Sequence, residues 1–439
     1  MGPSYLVVRA AGRFAAGMTR HAIVLGGGTG GTLAANRLRR LFPLDELSIT
    51  VVDGDDRHLY QPGLLFVPFG MASPRRLVRS RRAQFRPGIV FREAVVEAVD
   101  PGAGQVHLGD GSRLDYDVLL VATGARLVPE ETEGLTGPGW MERVFTFYEL
   151  GSAGALGGAL ARLEKGRLVV GFVDLPIKCP VAPLEFAFLA DAYLRRRGVR
   201  HNVDITFVTP LDGAFTQPVA AERLGGLLAD KGISTVTEFN IAAVDGAGGS
   251  LRSYDDREVG FDIGVVVPLH EGAAFVGRST GLGDALGFVA CDPHTLQAKV
   301  APNVFVIGDA ADVPTSKAGS VAHFEGEVVV ENIRRFLEGE PLAAKFDGHA
   351  NCFVETGFGK ALLADFNYHT EPLPGRYPAE WGLPLLEESR LCHAGKRAFE
   401  WVYWHLLLKG LDIPGVAASM PHAGKALPHG PDTQAHEEA

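Results

Sequence analysis

Four cysteines stand in this 439-residue chain, and their types and settings are the first place to look for chemistry: Cys179, Cys291, Cys352 and Cys392. Four thiols so spaced are no disulfide framework, which makes a reducing compartment the default. Cys179 lies in Pro176-Ile177-Lys178-Cys179-Pro180, just ahead of a periodic apolar stretch (183–197) that reads as a helix. A thiol beside a lysine and a helix N-terminus is expected to have a lowered pKa and to act as a redox group. Cys352 opens a segment (351–368) that alternates like a strand toward its end. Cys291, after Gly287-Phe288-Val289-Ala290, and Cys392 read as buried apolar fillers.

A second chemical feature sits near the start. A short apolar strand (21–25) runs into Gly26-Gly27-Gly28-Thr29-Gly30-Gly31, a helix follows, and a strand ends at Asp53. Gly26, Gly28 and Gly31 fit G-x-G-x-x-G. Gly26 allows the tight turn, Gly28 lets a pyrophosphate approach the backbone, and Gly31 lets helix and strand pack closely. Asp53 is placed to accept hydrogen bonds from an adenosine ribose, and an acid there selects against a 2′-phosphate. Dinucleotide binding follows; the motif alone does not choose between FAD and NAD.

Two later segments do choose. Asp115–Gly124 is a buried strand ending in Ala122-Thr123-Gly124, and Asn303–Asp309 is another, ending in Gly308-Asp309. With these the chain resembles the two-dinucleotide-binding flavoproteins. The resemblance implies FAD as cofactor, with Thr123 and Gly124 where the chain leaves the FAD domain and Gly308-Asp309 beside the ribityl-pyrophosphate. It also implies an α/β fold of two Rossmann-like domains, the second inserted in the first, plus a C-terminal membrane- and quinone-facing region. The expected boundaries are 21–125 and 295–345 for the FAD domain, 126–294 for the insert and 346–412 for the C-terminal region. Residues 1–20 and 413–439 are expected to be flexible.

A NADH-using protein needs glycines after the first strand of the insert, because backbone amides must cradle a second pyrophosphate. That strand reads Arg167–Phe172, and it is followed by the prolines and thiol of the Cys179 loop. Several stretches together then resemble sulfide:quinone oxidoreductases: His58-Leu59-Tyr60-Gln61-Pro62, Pro176–Pro183, Pro314-Thr315-Ser316-Lys317-Ala318-Gly319 and the Cys352–Tyr368 segment. The resemblance runs from about residue 21 to 412. It implies a Cys179–Cys352 redox couple attacked by sulfide, giving a persulfide and a thiolate, with electrons passing through FAD to quinone. It places Cys352 nearer the flavin and Lys317 near the flavin pyrimidine, where a cation favours the reduced anion. His323 and Glu325 are candidates for delivering protons to quinone. The pattern departs from many members in having no cysteine before Cys179, which leaves the sulfur acceptor and product chain length open.

Composition bounds the rest. A net charge of −10 argues against a nucleic-acid partner. No apolar run reaches the 18 residues of a membrane-spanning helix. Residues 396–409 (KRAFEWVYWHLLLK) form an apolar, aromatic helix too short to span, and Trp401, Tyr403 and Trp404 suit a membrane interface. Arg75, Arg76, Arg79, Arg81, Arg82 and Arg86 are placed either to attract anionic lipid or to form a solvated helix face. Peripheral attachment at the cytoplasmic face is the expectation, and a homo-oligomer is compatible with the chain. The basic N-terminus is a poor secretory signal, with Met18 as an alternative start. Competing readings are a type II NADH dehydrogenase, the flavoprotein subunit of a flavocytochrome c sulfide dehydrogenase, and a flavin-bound redox sensor that does not turn over.

Overall fold

Short, wholly apolar strands alternate with glycine turns and helices, and this pattern gives parallel sheets covered on both faces. The structure is a computed structural model, and it describes residues 19–413 and 416–426. In the first unit β1 (Arg20–Leu25) leads into α1 (Thr29–Leu41), β2 (Leu47–Asp53), β3 (Ile89–Glu93) and β4 (Val118–Val121). Ile23, Val24 and Leu25 are fully buried, each stabilising the fold by roughly 1.5–3 kcal/mol relative to exposure.

The second unit follows in the chain. It comprises β5 (Val144–Phe145), β6 (Gly166–Phe172), α2 (Ala182–Arg196), β7 (Val203–Val208), β8 (Ser234–Val236) and β9 (Ile263–Val267). Its parallel strands lie in the order β5-β9-β6-β7-β8. The chain then returns to the first sheet as β10 (Val304–Val306), which pairs with β4, and continues into α3 (Gly319–Glu338). The first sheet therefore reads β10-β4-β1-β2-β3, all parallel. An antiparallel hairpin follows, β11 (Ala350–Gly357) and β12 (Lys360–Phe366). The last helix among the described residues is α4 (Arg390–Val402), continued by a wider π-type turn over Tyr403–Leu407.

The C-terminal part differs from expectation in two ways. Tyr403 and Trp404 do not face a membrane: each is 1% exposed, packed against His58 and Tyr60 with the Arg79 guanidinium 4.2 Å from the Trp404 ring. An aromatic stretch buries as readily against protein as against lipid. Residues 416–426, in the stretch expected to be flexible, make specific contacts with the body of the fold. There Lys425 forms a fully buried ion pair with Asp365 at 2.5 Å, and the Met420 amide donates to Asp347 at 2.9 Å. The remainder of that stretch, 414–415 and 427–439, and residues 1–18 with Met18, lie outside the described residues.

Candidate active site

The glycine turn at the end of β1 does three distinct things. A Cβ on Gly26, whose φ is +98°, would sit 2.4 Å from the Ala122 carbonyl oxygen. A Cβ on Gly31 would sit 1.9 Å from the Gly26 oxygen. Gly28 faces open space, so backbone there is free to meet a ligand. The N-terminus of α1 carries no side-chain cap and borders one cleft, together with Gly26, Gly28, Thr123, Gly124, Gly308 and Asp309. Such an N-terminus favours an anion.

Asp53 lines this cleft as well. Its oxygens accept the Gly27 and Gly54 amides, each at 2.7 Å, and pair with Arg81 at 2.7 Å. A carboxylate has about four lone-pair sites, which leaves capacity for a ribose hydroxyl. Arg81 also lines the cleft. The other arginines of that group lie exposed on short 3-10 turns, a strand and, for Arg86, the loop beyond them, rather than on a helix face.

The C-terminal turn closes the same region. His58 Nδ1 donates to the Gly27 carbonyl at 3.1 Å, so its Nε2 accepts from the Tyr403 hydroxyl at 2.7 Å, and Thr29 Oγ1 donates to Tyr403 at 2.8 Å. Burial holds His58 down to about 4, which keeps the ring neutral and able to accept. The phosphate loop is thus braced by a residue more than 370 positions away. Thr123 Oγ1 is buried with no protein hydrogen-bond partner. The open Gly28 position, the uncapped helix and this orphaned hydroxyl fit a dinucleotide bearing a pyrophosphate.

Cys179 and Cys352, far apart in sequence, are packed on one apolar cluster and lie close enough for the charge of Cys352 to act on Cys179. Cys179 lines the cleft; Cys352, on β11, is buried behind it in the same apolar cluster. Both are free thiols. Cys179 is among the residues that line the cleft and Cys352 is not. Cys179 adopts φ +48°, a left-handed conformation costly for a non-glycine residue. It is held there from several sides: its amide donates to the Lys317 carbonyl at 2.7 Å, and its own carbonyl accepts from Ala182 N–H at 2.8 Å and the Tyr148 hydroxyl at 3.2 Å.

The expected lowering of the Cys179 pKa is also overturned. Burial pushes the thiol up, and Glu185 and Cys352 push it further. Cys352 is raised to about 12, again by burial first and then Glu185. Lys178, next in sequence, is not the cation that opposes this; Lys396 of α4 is. Its ammonium bonds Glu185 Oε1 and the Phe353 carbonyl, the latter at 3.0 Å. Glu185 is buried, raised to about 6 by desolvation, and its Oε2 has no protein partner.

Lys317 lines the cleft, but its ammonium is occupied by the Asp309 and Ala311 carbonyls at 2.9 and 3.0 Å and lies 4.1 Å from the Phe288 ring. Lys178 lines the cleft too; burial pulls its pKa down, with Asp309 and Glu149 opposing. Glu325 sits behind Gly308, whose amide it accepts. His323 is buried, with both ring nitrogens lacking hydrogen-bond partners. Cys291 and Cys392 are buried away from the cleft among apolar side chains. Sequence reasoning missed Glu185, Lys396, Tyr148 and Tyr403, because each is brought in by long-range packing.

Two parallel sheets, one interrupted by the other, with a dinucleotide cleft and a thiol pair, define a two-domain redox flavoprotein. Residues 20–326 match the pyridine nucleotide-disulphide oxidoreductase family model, and the chain belongs to that family. The family's cofactor is FAD, and the cleft fits it. The chain is similar to the mitochondrial sulfide:quinone oxidoreductase of Mus musculus, at 27% identity over 401 residues, covering 88% of this chain and 86% of the relative. The mitochondrial sulfide:quinone oxidoreductase of Schizosaccharomyces pombe is 28% identical over 428 residues, covering 90% and 91%. Among solved structures, the sulfide:quinone oxidoreductase of Aquifex aeolicus shares the fold with a TM-score of 0.76, at 22% identity, covering 90% of this chain and 92% of that one.

Proposed function

We propose that this chain oxidises sulfide at Cys179 and Cys352 and delivers the electrons to a membrane quinone. The observation that carries the reading is the thiol pair itself. Cys179 occupies the loop where a NADH-using protein needs glycines, lines the FAD cleft and has Cys352 behind it. The names of the similar proteins support the same reading.

The burial of both thiols supports a cycle that starts from the oxidised pair, since buried neutral thiols are poor nucleophiles. In this cycle a Cys179–Cys352 disulfide is attacked by an incoming hydrosulfide anion. The new S–S bond forms a persulfide on one cysteine; the old S–S bond breaks and leaves a thiolate on the other. Lys396 is the cation beside that thiolate, and Glu185, with Oε2 free, is the carboxylate placed to take the persulfide proton. FAD, held in the cleft that Cys179 lines, would supply the two-electron acceptor and the relay to quinone.

Attachment to the membrane surface, at the cytoplasmic face, falls to the outer side of α4. Leu391 and Trp401 are 64% and 59% exposed there, and Arg397 of the same helix bonds the Met71 carbonyl of the arginine-rich segment. That segment exposes Arg75, Arg76, Arg79, Arg82 and Arg86, a surface suited to anionic headgroups. No helix among the described residues is long and apolar enough to cross a bilayer.

Anaerobic titration of the purified protein with sulfide, then with a soluble quinone, tests the proposal through flavin absorbance. Sulfide should bleach the flavin and quinone restore it, whereas NADH should not bleach it. Cys179→Ala and Cys352→Ala should each abolish sulfide bleaching with FAD still bound. A flavin that NADH reduces and sulfide does not would defeat the reading.

A further inference from the structure

Behind the thiol pair lies a row of charges that no step above uses in full. Glu185 on α2 and Glu355 on β11 are both buried. The Glu355 amide donates to Glu185 Oε1 at 2.7 Å, the same oxygen that takes the Lys396 ammonium. Lys396 also feels the charge of Glu355 and of Cys179. Three residues before Lys396 on α4, His393 Nδ1 donates to both Glu355 oxygens at 2.9 Å. The His393 side chain is 23% exposed, whereas that of Glu355 is 1% exposed.

The charge count is the argument. Two buried carboxylates lie near one ammonium, which bonds Glu185 and feels the charge of Glu355. Opening the disulfide adds a thiolate, making three negative charges against one positive. An unbalanced buried charge costs several kcal/mol, so a second cation is required. Of the other groups that face the thiols, Asp309 across the cleft is an acid. Asp365 behind Cys352 is already held by Lys425 and His349. Tyr148 bonds only backbone carbonyls of the thiol loop. His393 is the group able to add positive charge to this row.

We propose that His393 and Glu355 are positioning residues that set the stability of the thiolate through Lys396. His393 holds Glu355, which leaves Lys396 to Glu185 and the thiolate; without that bond Glu355 draws on Lys396 and the thiolate loses its counter-ion. The arrangement ties the buried sulfur chemistry to a ring at the protein surface. It rests on the thiol chemistry proposed above, and it is measured without sulfide or quinone.

The test is alkylation of the dithiothreitol-reduced, FAD-loaded protein by iodoacetamide across pH, read separately at Cys179 and Cys352 by peptide mass spectrometry, with Cys291 and Cys392 as internal references. His393→Asn should move the thiol profiles to higher pH and slow alkylation at pH 7. Glu355→Gln should move them to lower pH and speed it. Each change should be about three- to tenfold, one pKa unit being tenfold in thiolate. The double variant should follow Glu355→Gln, since without the Glu355 charge His393 has nothing to neutralise. His393→Lys, a fixed cation, should restore fast alkylation at pH 8. General damage would move all variants in one direction and the reference cysteines with them. Same-direction shifts in His393→Asn and Glu355→Gln, or unmoved profiles, overturn the proposal. Opposite shifts in a protein whose flavin sulfide does not bleach would leave it standing and remove the sulfide reading instead.

Discussion

Replacing Glu325 by glutamine should make the protein more stable, and increasingly so as pH rises. Glu325 is fully buried on α3. One oxygen accepts the Gly308 amide, and the other has no protein partner. Burial raises its carboxyl to about 8, with Asp309 adding to the rise and Gly308 and Lys317 opposing it. A raised folded-state pKa stabilises the fold fully below the unfolded value of about 4.5, and that contribution is lost as pH climbs through the folded value. At pH 7 the folded acid keeps its proton while the unfolded chain gives it up, at a cost of about 3 kcal/mol; by pH 9 the cost reaches about 5 kcal/mol. Glutamine keeps the amide acceptor and has no proton to lose. Glu325→Gln should therefore match the native protein near pH 4.5, gain roughly 3–4 °C in melting temperature at pH 7 and gain more at pH 9. Melting curves of both proteins across that range, at equal FAD content, are the assay. Parallel pH profiles, or a variant that loses its advantage at high pH, would refute the claim that Glu325 is a proton-holding acid.

Gly31→Ala places a Cβ 1.9 Å from the Gly26 oxygen. Backbone cannot yield cheaply there, so the purified variant should retain less than a tenth of the native FAD, measured by absorbance after gel filtration. Trp401→Ser should weaken sedimentation with anionic vesicles severalfold, and added salt should weaken the native protein's binding too, because the arginine surface acts through screened charge.

The FAD half of the cleft was legible because it is local. Strand, glycines, helix and acid lie within a few dozen residues, and the steric demands at Gly26 and Gly31 admit little else. The cysteine pair was legible only through its oddity, thiol and prolines standing where glycines belong. What governs the thiols was not legible. Sequence proximity offered Lys178, but the electrostatic partner is Lys396, 211 residues from the Glu185 it binds. Burial, which no motif reports, turned an expected acidic thiol into a neutral one. The aromatic run ending in Tyr403 and Trp404 was misread for a related reason: a short apolar helix carries the same signal whether lipid or protein covers it. Lys425, in a polar, proline-rich stretch that composition marks as loose, is pinned by one buried carboxylate.

The bond between Thr29 and Tyr403 also bears on how the protein is made. Some 374 residues separate the two, and synthesis at about 5–20 residues per second takes on the order of 20–75 s to cover them. The first sheet waits in the same way for β10, its edge strand beside β4. A nascent chain thus carries its nucleotide loop long before the residues that brace it exist. Stable cofactor capture becomes a late event in biogenesis, and a ribosome that stalls before residue 403 releases a chain with the fingerprint for the nucleotide and no means of closing on it.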